Sequence, residues 1–210
     1  MDITTRQNNI DRFEQLLIST NREGVDKLVE FLRKSDFYTA PASTKYHLSC
    51  EGGLLQHSLN VYDALISKVK NNPTWQQDFN PASLIVTALL HDLCKTYFYV
   101  SEVKNRKVYK ENGSKMDSNG RYDWESYMGY TIEDQFPYGH GEKSVMMIEQ
   151  FIRLSPEERY AIRWHMGFSE PKENWNSLGK TYEKYPLALA LSEADLEATY
   201  LMEKEDTADV

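Results

Sequence analysis

Cysteine is scarce: Cys50 and Cys94 are the only two in 210 residues. Two thiols in a chain of this length make no disulfide framework, and they cannot build a Cys-rich zinc site. They read as reduced, half-buried thiols. Long apolar runs are missing too. The longest, around Leu84–Leu90, is interrupted by a histidine and an aspartate, well short of the ~20 residues that span a bilayer. The first residues, Met1-Asp2-Ile3-Thr4-Thr5, lack the basic-then-apolar order of a signal peptide, so the expected address is the cytoplasm, with no membrane partner. Positive charge is in deficit. Lys and Arg number 24 against 32 Asp and Glu, a net charge of −8. Duplex nucleic acid is a poor partner for such a chain, because neutralising phosphates needs clustered cations.

What is present reads as one soluble globular domain over 1–210, without repeats or low-complexity linkers. Apolar spacing predicts helices over 9–20 and 23–34, within an N-terminal helical region 1–44. Gly52-Gly53 turns the chain into a helix ending at Asn71-Asn72-Pro73. Asn80-Pro81 is a capping side chain followed by proline at the first helical position. It starts a central, almost wholly apolar helix running to about Lys95. The texture changes over 97–138. Strand-favouring residues, the turn pairs Asn112-Gly113 and Asn119-Gly120, and seven of the fourteen tyrosines predict a β-hairpin or loop insertion. Helices resume after Gly141. Ser155-Pro156-Glu157-Glu158 is a capping box opening a helix over 156–166. Residues 167–185 read as a polar loop, Pro186 opens a last helix, and 203–210 reads as a frayed tail.

The chain has five histidines: His47, His57, His91, His140 and His165. His91-Asp92 closes the most apolar helix, and Asp195 sits between Ala194 and Leu196 on the last one. A carboxylate on an apolar face is costly to bury unless it is paired or binds a metal. Taken in order, Gly52-Gly53-Leu54-Leu55-Gln56-His57-Ser58, His91-Asp92-Leu93-Cys94-Lys95, Gly139-His140-Gly141, Trp164-His165 and Ala194-Asp195 resemble the motifs of HD-domain phosphohydrolases. The resemblance runs from about residue 45 to 202. It implies an all-α helical bundle, with the 97–138 segment as a small β-hairpin or loop insertion, and metal-dependent hydrolysis of phosphoesters or nucleotides. By the same resemblance His57, His91, Asp92 and Asp195 match the ligands of a first metal. His140 and His165 match the extra histidines of two-metal members, with Asp92 bridging. The chain also looks like the HD domain of certain bacterial exoribonucleases, which open the first motif with His-His where this chain has His47-Leu48.

Chemistry agrees with that implication. Phosphoryl transfer needs the phosphate oxygens neutralised and a water presented in line, which a pair of divalent metals can do. Imidazole with carboxylate suits Mn, Fe, Co, Ni or Zn. Asp92 and Lys95, three residues apart on one helix side, are the expected catalytic pair. Expected substrate contacts are Lys95, Lys143, Ser144 and His47, the last with a surface or capping role as its alternative. Lys104 and Arg106 join them from the insertion, whose 95–121 stretch is net positive. The expected activity is hydrolysis of a nucleotide or related small phosphorylated substrate. The alternatives are an exonuclease on short single strands, served by the insertion's cations and stacking tyrosines, and a non-catalytic nucleotide-binding or sensing protein. Oligomeric state is left open, although the aromatic insertion is the surface an interface would use.

Overall fold

The computed structural model describes residues 3–75 and 79–204. In chain order these form α1 (Ile3–Ser19), α2 (Val25–Lys34), α3 (Gly53–Asn71), α4 (Pro81–Leu90), β1 (Tyr99–Tyr109), β2 (Lys115–Asp117), β3 (Gly120–Ile132), α5 (His140–Ile148), α6 (Pro156–Arg163), α7 (Trp175–Lys184) and α8 (Pro186–Glu197), which continues as a π-helical turn, Ala198–Met202. No helix among them is long and apolar enough to cross a membrane.

α4 organises the packing. Asn80 accepts a hydrogen bond from the Ala82 N–H at 2.9 Å, and Pro81 takes the first position. Every residue from Ser83 to Leu90 is buried. Ile85, Val86, Leu89 and Leu90 face a cluster with α1, α2 and the start of α3. Leu84 and Ala88 face a second cluster with the rest of α3 and with α8. Each large apolar side chain removed from water there stabilises by about 1.5–3 kcal/mol. The half-buried Tyr62 packs against both clusters.

Two adjacent glycines fix the loop ahead of α3. Gly52 has φ 77°, and a Cβ at Gly53 would meet the Leu48 carbonyl oxygen at 2.0 Å. Only glycine lets the 40–50 loop lie so close to the start of α3. Glu158 ties distant segments together from the α6 capping box. It accepts from Arg22, from the Ser83 hydroxyl at 2.6 Å and from the Ser155 N–H at 2.7 Å.

The expectation of an all-α chain is overturned. A three-stranded antiparallel sheet of order β1-β3-β2 makes the chain mixed, though largely helical. β1 and β3 pair from Tyr99↔Ile132 to Tyr109↔Tyr122, so the β-branched and aromatic residues of this segment sustain long strands. Residues 167–185 are not simply a loop, since they contain α7. Gly179 costs that helix about 1 kcal/mol, which burying Leu178 outweighs. α1 begins at Ile3, earlier than expected. α4 stops at Leu90, and Leu93–Lys95 is a separate 3-10 turn. Of the expected frayed tail, 205–210 lie outside the described residues, while Glu203 is buried.

Candidate metal centre

The cluster is built from helix ends. The last carbonyls of a helix have no intrahelical partner. At the end of α4 the Ala88 carbonyl is such a group, and His91 Nδ1–H donates to it at 2.9 Å. Just past α6, His165 Nδ1–H donates to the Ile162 carbonyl at 2.6 Å. A carbonyl can only accept, so in both rings the proton sits on Nδ1 and Nε2 faces inward. His57 reaches the same arrangement differently. It lies inside α3, and its Nδ1–H donates to the Glu203 carboxylate at 3.0 Å.

These inward nitrogens surround Asp92, which is 2% exposed. His91 Nε2 is 3.4 Å and His57 Nε2 3.6 Å from Asp92 Oδ2. His140 Nε2 is 2.8 Å and His165 Nε2 3.6 Å from Oδ1. Asp195 enters from α8, with Oδ1 3.2 Å from His57 Nε2. The six residues matched to metal ligands therefore come together from α3, the α4 end, the start of α5, the α6 end and α8.

The donor set fits a metal. His57 Nε2 and His91 Nε2 lie 3.3 Å apart, too close for both to carry a proton aimed at the other. His165 Nε2 is buried with no hydrogen-bond partner at all. Buried imidazole nitrogens facing carboxylates need a positive charge between them, a proton or a metal ion. Potential ligand atoms fall into four sets: His57, His91 and Asp92; His91, His165 and Asp195; Asp92, Cys94 and His140; and His47, His57 and Glu203. The electrostatics point the same way. Burial alone would lower the His57 pKa, but Asp195 and Glu203 outweigh it and push it up to about 10. His140 rises to about 9, since Asp92 and Cys94 outweigh burial. Asp92 is held well below the usual carboxylate range against its burial, chiefly by the charges of Lys95 and His91. The site is a buried field that stabilises positive charge, whether protons or a divalent ion carry it.

Comparison with protein-family models, curated proteins and solved structures returns no match.

Lys95 Nζ donates to Asp92 Oδ2 at 2.7 Å and to the Ala42 carbonyl at 2.8 Å, leaving one N–H. It lines a cavity of about 850 Å³ whose wall also includes His57, Asp92, His165, Asp195 and His47. The His47 ring lies 5.1 Å from that of His57, and its Nε2 is buried without a partner. Burial, then the charge of His57, lowers its pKa.

The other expected substrate contacts lie elsewhere. Lys143 Nζ is bound to Asp134 at 2.6 Å, and the Ser144 hydroxyl accepts from the Cys94 N–H at 3.0 Å. Neither lines the cavity. Lys104 donates to the Tyr130 carbonyl and pairs with Glu102, while Arg106 pairs with Glu125. Both of these cations are thus engaged with acids or a carbonyl of the insertion itself. Two residues of the centre were missed in the sequence. Cys94 Sγ lies 3.2 Å from His140 Nδ1, and Glu203 backs His57. Cys94 lies inside the His91–Lys95 motif and was legible there, but Glu203 follows a helix whose length only the fold reveals.

Proposed function

We propose that this chain is a cytoplasmic metal-dependent phosphohydrolase that cleaves a phosphate ester or anhydride of a nucleotide or related small phosphorylated molecule. One observation carries the reading: four imidazole Nε2 atoms converge on the buried Asp92, three of them with the Nδ1 proton locked away by an acceptor. His57, His91, Asp92 and Asp195 would hold one divalent ion, and Asp92, His140 and His165 a second, with Mn, Fe, Co, Ni or Zn suited to these donors. Such ions supply neutralisation of phosphoryl oxygens and a water acidic enough to attack at neutral pH.

The chain's own residues do the rest. Asp92 is the shared anion of both halves. Lys95, fixed by Asp92 and Ala42, offers its remaining N–H to an anionic group in the cavity. The cavity's volume lies within the roughly 300–1,000 Å³ range of small-molecule sites. Exposed Tyr46 and Tyr200 at its wall can stack on a base, and Lys45 and Lys204 add positive charge. The order of the motifs, resembling that of HD-domain phosphohydrolases, supports the same reading.

The test is turnover. Protein stripped with a chelator and reloaded with Mn is offered a nucleotide panel, a chromogenic phosphodiester and short single strands. Metal-dependent product from a small nucleotide or phosphodiester is the expected result. Stoichiometric binding without product would make the chain a nucleotide sensor. Product from short strands alone would make it an exonuclease.

A further inference from the structure

The four inward-facing histidines are backed by three kinds of group. His91 and His165 lie just past helix C-termini, where carbonyls are free. The other two have no such carbonyl: His57 is inside α3, and His140 is the first residue of α5. Glu203 takes that place behind His57, whereas Cys94 Sγ lies beside the His140 ring, 3.2 Å from Nδ1 and 3.9 Å from Nε2, off the Nδ1–H axis.

We propose that Glu203 and Cys94 are positioning residues that make the two halves of the centre unequal, so that an ion on the His57 side is retained and one on the His140 side exchanges. This rests on the metal reading above. A carboxylate acceptor makes the imidazole behind it a stronger ligand and fixes its orientation. A hydrogen bond to an ionised group is about twice as strong as a neutral one, whereas sulfur is a weak acceptor. Glu203 is also rigidly placed. The Asn60 amide donates to its Oε1 at 2.9 Å. Its own N–H reaches the Ala198 carbonyl at 3.0 Å across the π-helical turn, which swings the residue back toward α3. On the other side the His140 side chain is 31% exposed, against 2% for His57. The ligand count differs as well, four on the His57 side and three on the His140 side.

The experiment is a cobalt(II) titration of chelator-treated full-length protein, followed by equilibrium dialysis and visible absorption. Wild type should bind two ions in separate tight and weak steps. Glu203→Gln should weaken the tight step about 10–100-fold and leave the weak step within a few-fold, and Cys94→Ala should weaken the weak step alone, by less than about 10-fold. Cys94→Ser, which keeps a hydroxyl beside His140, should restore part of the weak step. Glu203→Asp takes the place of Glu203→Gln if melting in chelator shows that the latter does not fold. The cobalt-loaded wild type should lack a thiolate-to-cobalt charge-transfer band. A band that Cys94→Ala removes would make Cys94 a ligand and overturn its positioning role. Two bound ions whose steps shift together, or not at all, would overturn the ranking alone. A wild type that binds no cobalt would overturn the metal reading, and this inference with it.

Discussion

Replacing Asp92 with Asn should separate two jobs that one carboxylate performs. The amide keeps the side chain's shape but removes the charge shared by four imidazoles and by Lys95. Asp92 Oδ2 is 2.7 Å from Lys95 Nζ, and the Lys95 side chain is 13% exposed. Removing one partner of a buried pair costs about 3–5 kcal/mol, because the other charge is left without its counter-ion. Lys95 keeps the Ala42 carbonyl and reaches the cavity, so we expect the lower end, about 3 kcal/mol. Urea unfolding in chelator should show that loss for Asp92→Asn. Adding Lys95→Met to the same chain should recover at least half of it, a coupling that a double-mutant cycle measures. Hydrolysis should fall to background in both variants, because the metal-holding charge is gone in both. Activity within a few-fold of wild type in Asp92→Asn would refute Asp92 as the central ligand. A double variant as unstable as the single one would refute the Asp92–Lys95 pair as the source of the loss.

Wild-type protein dialysed to equilibrium against excess Mn should bind two ions per chain above the dialysate by elemental analysis, and His140→Ala one; a wild type that never exceeds one would sink the dinuclear reading. Changing Lys104, Arg106 and Lys107 together to Ser should leave KM and kcat within about two-fold, because each cation is paired inside the insertion; a large rise in KM at low salt would show that the insertion grips substrate after all. Glu158→Gln should cost about 3 kcal/mol at pH 7, since it strands Arg22 beside a neutral group. Burial opposes ionisation of Glu158, but Arg22, Ser83 and the Ser155 N–H hold its pKa below the ordinary 4.5. Its stabilisation is therefore complete above that value and fades as pH falls through the folded-state pKa. The gap between wild type and Glu158→Gln in urea midpoints should narrow below pH 4.5, and a gap that widens there would refute the pairing.

The local rules that could be read in order along the chain placed most of the helices. Asn80-Pro81 and the Ser155–Glu158 box start helices because capping is a matter of three or four adjacent residues. The 97–138 segment announced its change of texture through turn pairs and aromatics. The expected all-α class failed at that same segment, because periodicity alone does not say whether such a stretch stays a loop or pairs into long strands. α7 was hidden by Pro171 and Gly179, turn residues whose cost the burial of Leu178 overrides.

The sequence by itself determined the four histidines and two aspartates that come together, and that His91 and His165 would sit near helix ends, since both follow from motifs and spacing along one chain. Only the tertiary structure decided the rest, because the remaining distances join residues far apart in sequence. Sheet register pairs Arg106 with Glu125 and takes it out of the site's chemistry. Close packing of the 40–50 loop on Gly53 brings the Ala42 carbonyl to Lys95. A π-helical turn after Ala198 carries Glu203 back to His57, 146 positions away, where an imidazole inside a helix has no free carbonyl to hold its proton.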